Sequence, residues 1–317
     1  MRDRLLLAPL QGFTDRHFRN AFQQCFGDVD RFYAPYLKLN HDGSIKANTK
    51  LDVLPENNPF EIVVPQVMAC SAHDFLTMSN YLGQLGYGEV NWNLGCPYPM
   101  VAKQDLGSGM LDKPDRLFAI LDEVMTRSDQ CIGIKMRMGY QSTSDILELL
   151  PELNNYPLSE IIIHARYGKQ LYQGACDLDR FEECIALTKH KLVYNGDICS
   201  VQGFRQLKER FPSICNWMIG RGAIENPFLF EMIQDDTELF PEDRLEVFYD
   251  FLVLLLDNHV KEVNNDGNVL VKMKHFWEYF SKSFDEGQSY YRWVKRADNI
   301  NEYEDVIRRI CFETDLA

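Results

Sequence analysis

A chain of 317 residues has material for a large buried core, and one long domain plus a smaller one fits that length better than two equal halves. No run approaches the roughly 18 consecutive apolar residues of a membrane span. Nine cysteines without a Cys-x-x-Cys pair argue against a disulfide framework and a zinc site, and a net charge of −14 argues against a nucleic-acid partner unless a locally basic surface compensates.

The chain opens with arginines ahead of a short apolar run, Met1 to Leu10. The run is too short for a signal peptide and ends at Gln11-Gly12 without a small-residue cleavage site, so the protein reads as cytoplasmic. Apolar, β-branched-rich runs begin near Leu5 (LLLAPL), Arg31 (RFYAPYLKL), Glu61 (EIVVPQVMA) and Glu89 (EVNWNLGCP). Four more begin near Cys131 (CIGIKMRMG), Glu160 (EIIIHARYG), Lys191 (KLVYNGDI) and Trp217 (WMIGRGAI). Their starts lie about 25 to 45 residues apart, room for a strand, a crossover helix and loops. One such helix is Asp115 to Thr126, where Leu117, Ile120, Leu121 and Val124 recur at helical spacing. Eight βα units in series predict an α/β fold of the (β/α)8 TIM-barrel type. A doubly wound sheet would show a Gly-x-Gly-x-x-Gly turn after its first strand, and none is there.

After Pro227 the strand pattern stops. Helical periodicity marks Arg244 to Val263, Val269 to Phe284 and Asn301 to Phe312. The boundary is therefore expected near Phe240-Pro241, with a catalytic barrel in 1–240 and a small all-helical domain in 241–317.

In such a barrel, chemistry belongs at the C-terminal ends of the strands. Those ends carry Pro9-Leu10-Gln11-Gly12, Gln66, Asn93 with Cys96, Lys135 with Arg137, and His164 with Arg166. The last two carry Asn195-Gly196-Asp197 and Gly220-Arg221-Gly222, where this fold commonly holds phosphate. Glycines let backbone N–H groups approach an anion, and Arg221 adds a forked cation. Lys135 and His164 come from neighbouring strands, so both can stand beside one planar ligand such as a flavin, whose reduced form a lysine near N1 would stabilise. The alternative for Lys135 is a structural carboxylate partner. Cys96, in a turn between Gly95 and Pro97, is the thiol placed to act as a general acid, and the other eight cysteines read as small buried hydrophobes. With no His-Glu-x-x-His pattern, no metal is expected.

NLGCP (93–97) with Gly107-Ser108-Gly109, APLQGFTD (8–15), KMRMG (135–139), IIIHAR (161–166), YNGDI (194–198) and IGRGA (219–223) together resemble the tRNA-dihydrouridine synthases, in the family's order and over the whole barrel. The resemblance implies FMN along Pro9, Leu10 and Gln11, with Gln66 and Lys135 at its polar edge and His164 flanking it. It implies Asn195, Gly196, Asp197, Gly220 and Arg221 around the phosphate, and Cys96 as the proton donor beside Asn93. Lys38, Arg166 and Tyr172 would line the RNA entrance. NADPH would reduce FMN, and the substrate would be uridine in tRNA, flipped from its stack.

Two departures stand out: Asn91 occupies a position where the family usually has Asp, and Ala165 follows His164 where glycine is usual. Trp92 and Tyr98 beside the turn also suggest a different mouth shape. The RNA grip is expected from the helical domain, where Lys272, Lys274, Lys282, Arg292, Lys295 and Arg296 interleave with Trp277, Tyr279, Tyr290, Tyr291 and Trp293. The simpler reading places those aromatics in the core and the cations on a solvated face. The protein is expected to be a monomer. A small-molecule FMN barrel such as a dihydroorotate dehydrogenase, and a tRNA-binding chaperone without redox chemistry, remain as rivals.

Overall fold

The computed structural model describes residues 2–262 and 265–313. Nine parallel strands form one sheet: β1 (Arg4–Leu7), β2 (Arg31–Tyr33), β3 (Val63–Val64), β4 (Gln66–Val67), β5 (Glu89–Leu94), β6 (Cys131–Arg137), β7 (Ile161–His164), β8 (Leu192–Asn195) and β9 (Asn216–Ile219). β1 pairs with both β2 and β9, and the sheet continues round to β3 at one end and β4 at the other. Only Pro65 separates β3 from β4. A proline has no N–H to give a ladder, so it splits one barrel stave into two segments, one pairing with β2 and the other with β5. The eight strands expected from sequence are all present, and they close a (β/α)8 barrel.

Alternation along the strands sorts the side chains. Leu6, Tyr33, Val64, Ile162, Val193 and Met218 cluster with Ala8 inside the barrel, while Leu5, Leu7, Ile161 and Ile163 face the surrounding helices. Pro114–Arg127 forms the expected crossover helix and buries Leu117, Ile120, Leu121 and Val124.

Behind the barrel lie helices Arg244–Val260, Asp266–Phe280, Gly287–Arg296 and Ile300–Phe312. The expected end of the first at Val263 lies outside the described residues. A 3-10 turn at Ser281–Ser283 ends the second before Phe284. The helical module packs on the barrel's first helix, Arg16–Cys25. Phe18 stacks on Phe276 at 5.7 Å and meets Phe251 edge-on at 5.7 Å, and Phe26 meets Phe251 at 5.0 Å. One apolar cluster thus runs unbroken from barrel to module. Among the described residues no helix is long and apolar enough to cross a membrane.

Candidate active site

The C-terminal ends of the strands surround a cavity of about 380 Å³. β1 leads into it with Pro9, Leu10 and Gln11, the β5 turn with Asn93 and Cys96, β6 with Lys135 and β7 with His164. The opposite wall is Asn195-Gly196-Asp197 and Gly220-Arg221, and Tyr172 stands at its edge. Cys96, in the turn after β5, and Lys135, on β6, therefore line the same space.

The Cys96 turn is built from amides. Gly95 N–H and Cys96 N–H both donate to Asn93 Oδ1 at 3.0 Å. Asn93 Nδ2 donates to Gln66 Oε1 at 2.7 Å, and Gln66 Nε2 donates to Asn91 Oδ1 at 2.8 Å. Gln66 is fully buried one layer behind the cavity wall, not at its surface. The departure at position 91 leaves this relay intact, because the Asn91 amide oxygen accepts the Gln66 bond as a carboxylate oxygen would; its Nδ2 is left without a partner. Gly107, at φ +56°, lets Ser108 N–H bond Cys96 O at 3.0 Å; a Cβ there would stand 2.6 Å from that same oxygen.

Electrostatics follow from burial. Cys96 is 7% exposed, and burial pushes its thiol pKa up against the backbone N–H of Tyr98, Arg137, Lys38 and Lys135, so it stays protonated at neutral pH. Burial lowers Lys135 to about 7, with Arg137 adding to the effect. Its Nζ donates to the neutral Asn195 Oδ1 at 2.9 Å, and Asn195 is held by its own Nδ2 bond to Met218 O at 2.8 Å. A structural carboxylate partner for Lys135 is absent among the described residues. Burial, with Arg137, Lys135, Arg166 and Arg221 around it, lowers the pKa of His164 and keeps the ring neutral. Arg166 can only donate, so the 3.3 Å contact from its Nη1 makes His164 Nε2 an acceptor and places the ring proton on Nδ1.

Asp197, at φ +43°, accepts from Arg166 Nη1 at 2.9 Å and from Arg221 Nη2 at 2.8 Å. Arg166 is 2% exposed and sits behind Asp197, also bonding Gly174 O at 2.6 Å, so it is not on the cavity surface. Tyr172 lies 4.8 Å from the Arg221 guanidinium and 5.2 Å from that of Arg137. Gly222 packs so closely that a Cβ would stand 2.1 Å from Ile198 O, which presses the β8 and β9 loops together.

The helical-module cations are dispersed. Lys272 bonds Asp15 at 2.9 Å and Gly12 O at 2.6 Å, while Lys274 donates to Lys295 O at 3.0 Å. Lys295 lies over the Tyr291 ring at 4.5 Å. Trp277 and Tyr290 are core residues, as the simpler reading held, whereas Tyr279 reaches the cavity. Lys38 is half-buried in the loop after β2, close enough for its charge to act on the Cys96 thiol. Phe13 and Tyr36 line the cavity without having been singled out from sequence. Each sits inside a strand-end motif, where an aromatic is indistinguishable from core.

A family model described as dihydrouridine synthase matches residues 6–314. A tRNA-dihydrouridine(16) synthase of Neisseria meningitidis serogroup A is 26% identical over 317 residues, covering 94% of this chain and 93% of that protein. A tRNA-dihydrouridine(47) synthase-like protein of Arabidopsis thaliana is 29% identical over 168 residues, 51% of this chain but only 24% of its own length. Among solved structures, a morphinone reductase variant shares the fold at a TM-score of 0.53 and 11% identity, over 77% of this chain and 90% of its own.

Proposed function

The chain belongs to the dihydrouridine synthase family, and from that premise we propose that it reduces uridine to dihydrouridine in tRNA, with FMN held in the barrel-mouth cavity and NADPH as reductant. The observation that carries this reading is the shared cavity of Cys96 and Lys135.

The residues present suit a flavin. The cavity falls within the roughly 300–1,000 Å³ usual for cofactor sites. Lys135 is a buried ammonium whose hydrogen-bond partner is a neutral amide, which leaves its charge available to an anionic ring edge. Pro9 and Leu10 offer apolar surface to a planar ring, with Gln11 beside them, and His164 flanks it as a neutral donor. Asn195, Gly196, Gly220 and Arg221 stand at the phosphate end. Asp197 serves there by holding Arg221 in place, and Gln66 acts through Asn93.

FMN, when bound there, would supply the hydride equivalent for C6 of the uracil, with NADPH as the source of its electrons. The Cys96 thiol gives its proton to C5, so hydride plus proton saturate the C5–C6 bond, and the thiolate regains a proton from solvent. The relay from Asn91 through Gln66 and Asn93 fixes the turn from which that thiol points. Tyr172 and Lys38 border the entrance, Arg166 supports it through Asp197, and the helical domain holds the RNA with Lys274 and Lys295, whereas Lys272, expected from sequence to join them, is paired with Asp15 and pins the module to the barrel. Tyr279, contributed by the helical module to the cavity, favours this reading over a small-molecule FMN barrel, which gives that module no role. A tRNA substrate supports a cytoplasmic location.

Cys96→Ala is expected to keep its yellow flavin and to oxidise NADPH, while dihydrouridine formation in tRNA falls by about 10²- to 10⁴-fold. Full dihydrouridine formation by that variant would overturn the assignment of the proton donor.

A further inference from the structure

Two residues beyond Cys96, Tyr98 lines the cavity yet is 56% exposed, and Met100 beside it is 80% exposed. Tyr36, Tyr172 and Tyr279 border the same mouth from the loop after β2, the loop after β7 and the helix Asp266–Phe280. Each of the three is occupied: Tyr36 packs against Met68, Cys96 and Leu106, Tyr172 has two guanidinium groups near its ring, and Tyr279 meets Phe13 and Lys282. Tyr98 alone among them has no ring or cation against it and no side-chain hydrogen bond among the described residues.

Its backbone, by contrast, is fixed. Pro97 and Pro99 flank it, and its carbonyl accepts from Val101 N–H at 2.9 Å and Ala102 N–H at 3.0 Å. A bare aromatic face is thus presented on a stiff support at the rim of a catalytic cavity. Amphipathic rings in that situation serve as landing surfaces, because every nucleobase has a π-face to stack on them.

We propose that Tyr98 is the stacking surface for the nucleobase adjacent to the target uridine, gripping the RNA strand at the mouth while the target base passes inward. The inference rests on the function proposed above. Depth assigns Tyr98 to the neighbouring base. The target must reach Cys96, which is 7% exposed, whereas Tyr98 is 56% exposed. Two residues of chain span at most about 7 Å, so the Cα atoms of Tyr98 and Cys96 lie no further apart than about one nucleotide step. Stacking tolerates any base, so Tyr98 contributes grip without reading sequence.

The test uses full-length, FMN-loaded enzyme with a tRNA transcript and NADPH, flavin absorbance reporting that each variant is folded. Tyr98→Ala is expected to raise KM for tRNA about ten-fold with a smaller change in kcat, and Tyr98→Phe to keep the wild-type KM. A transcript made abasic at the nucleotide next to the modified uridine, prepared for each side in turn, is expected on one side to weaken wild type about ten-fold and Tyr98→Ala no further. A wild-type KM in Tyr98→Ala, a Tyr98→Phe as weak as the alanine variant, or additive losses at both abasic transcripts would overturn the inference. Absence of dihydrouridine from every tRNA given to the wild-type enzyme would instead overturn the proposed function.

Discussion

Lys135 shows how a single residue trades stability for chemistry. Its pKa is about 7 in the fold against 10.5 in water. Between those values the unfolded chain holds a proton that the folded chain has released, so its contribution makes stability rise with pH across that window. Below about pH 7 the fold carries the whole cost of a buried charge, at most roughly 4 to 5 kcal/mol. Lys135→Met is therefore expected to raise the melting temperature of flavin-free protein at pH 6.5, with the gain shrinking towards pH 10.5, while the variant retains less FMN. Thermal melts across pH, paired with flavin absorbance, check both halves. At this scale the sequence was informative where chemistry is rare: a thiol between Gly95 and Pro97, or a lysine near the end of an apolar strand, has few structural reasons to be there. It was uninformative for Phe13 and Tyr36, whose cavity-facing rings look like core, and it could not tell that Gln66 is buried behind Asn93. An amide buried one layer back has the same composition signal as one that touches a ligand.

The decisive pairing of elements is the barrel's first helix, Arg16–Cys25, against the helical module. Phe18 meets both Phe251 and Phe276, so Phe18→Ala is expected to cost about 3 to 5 kcal/mol, read from denaturant midpoints. The same seam is pinned by charge. Burial alone would raise the Asp15 carboxyl, but Lys272 and the nearby His259 and His17 hold it well below the usual carboxylate range. That stabilisation is complete above about pH 4 and is lost as the solution grows more acidic through the depressed value. Lys272→Met is expected to lower stability at pH 7 and to flatten its loss on acidification, measured by urea midpoints at pH 7 and pH 3. Strand positions were legible because apolar runs recur with the βα period. The break at Pro65 was not, because one residue interrupts a run without ending it. The helix Gly287–Arg296 escaped too: it buries only Gly287, Tyr290 and Val294, too thin a stripe to stand out from its cationic surroundings.

At the level of the whole molecule, a net charge of −14 has to be reconciled with a polyanionic substrate. Several cations of the module are neutralised in place: Lys272 pairs with Asp15 and Lys282 with Glu225. Lys274 and Lys295 have no carboxylate partner among the described residues and are the cations proposed to meet phosphate. Lys295→Ala is expected to weaken tRNA binding and to reduce the slope of log affinity against log salt by about one, measured by titration at several salt concentrations. The aromatic seam has a further consequence for how the protein is made. Phe22 meets Phe251 across some 230 positions of sequence, so the apolar side of the first helix leaves the ribosome long before its cover exists. At 5 to 20 residues per second that side stays bare for roughly 10 to 50 s. Synthesis halted before the module emerges would release a sticky half-product.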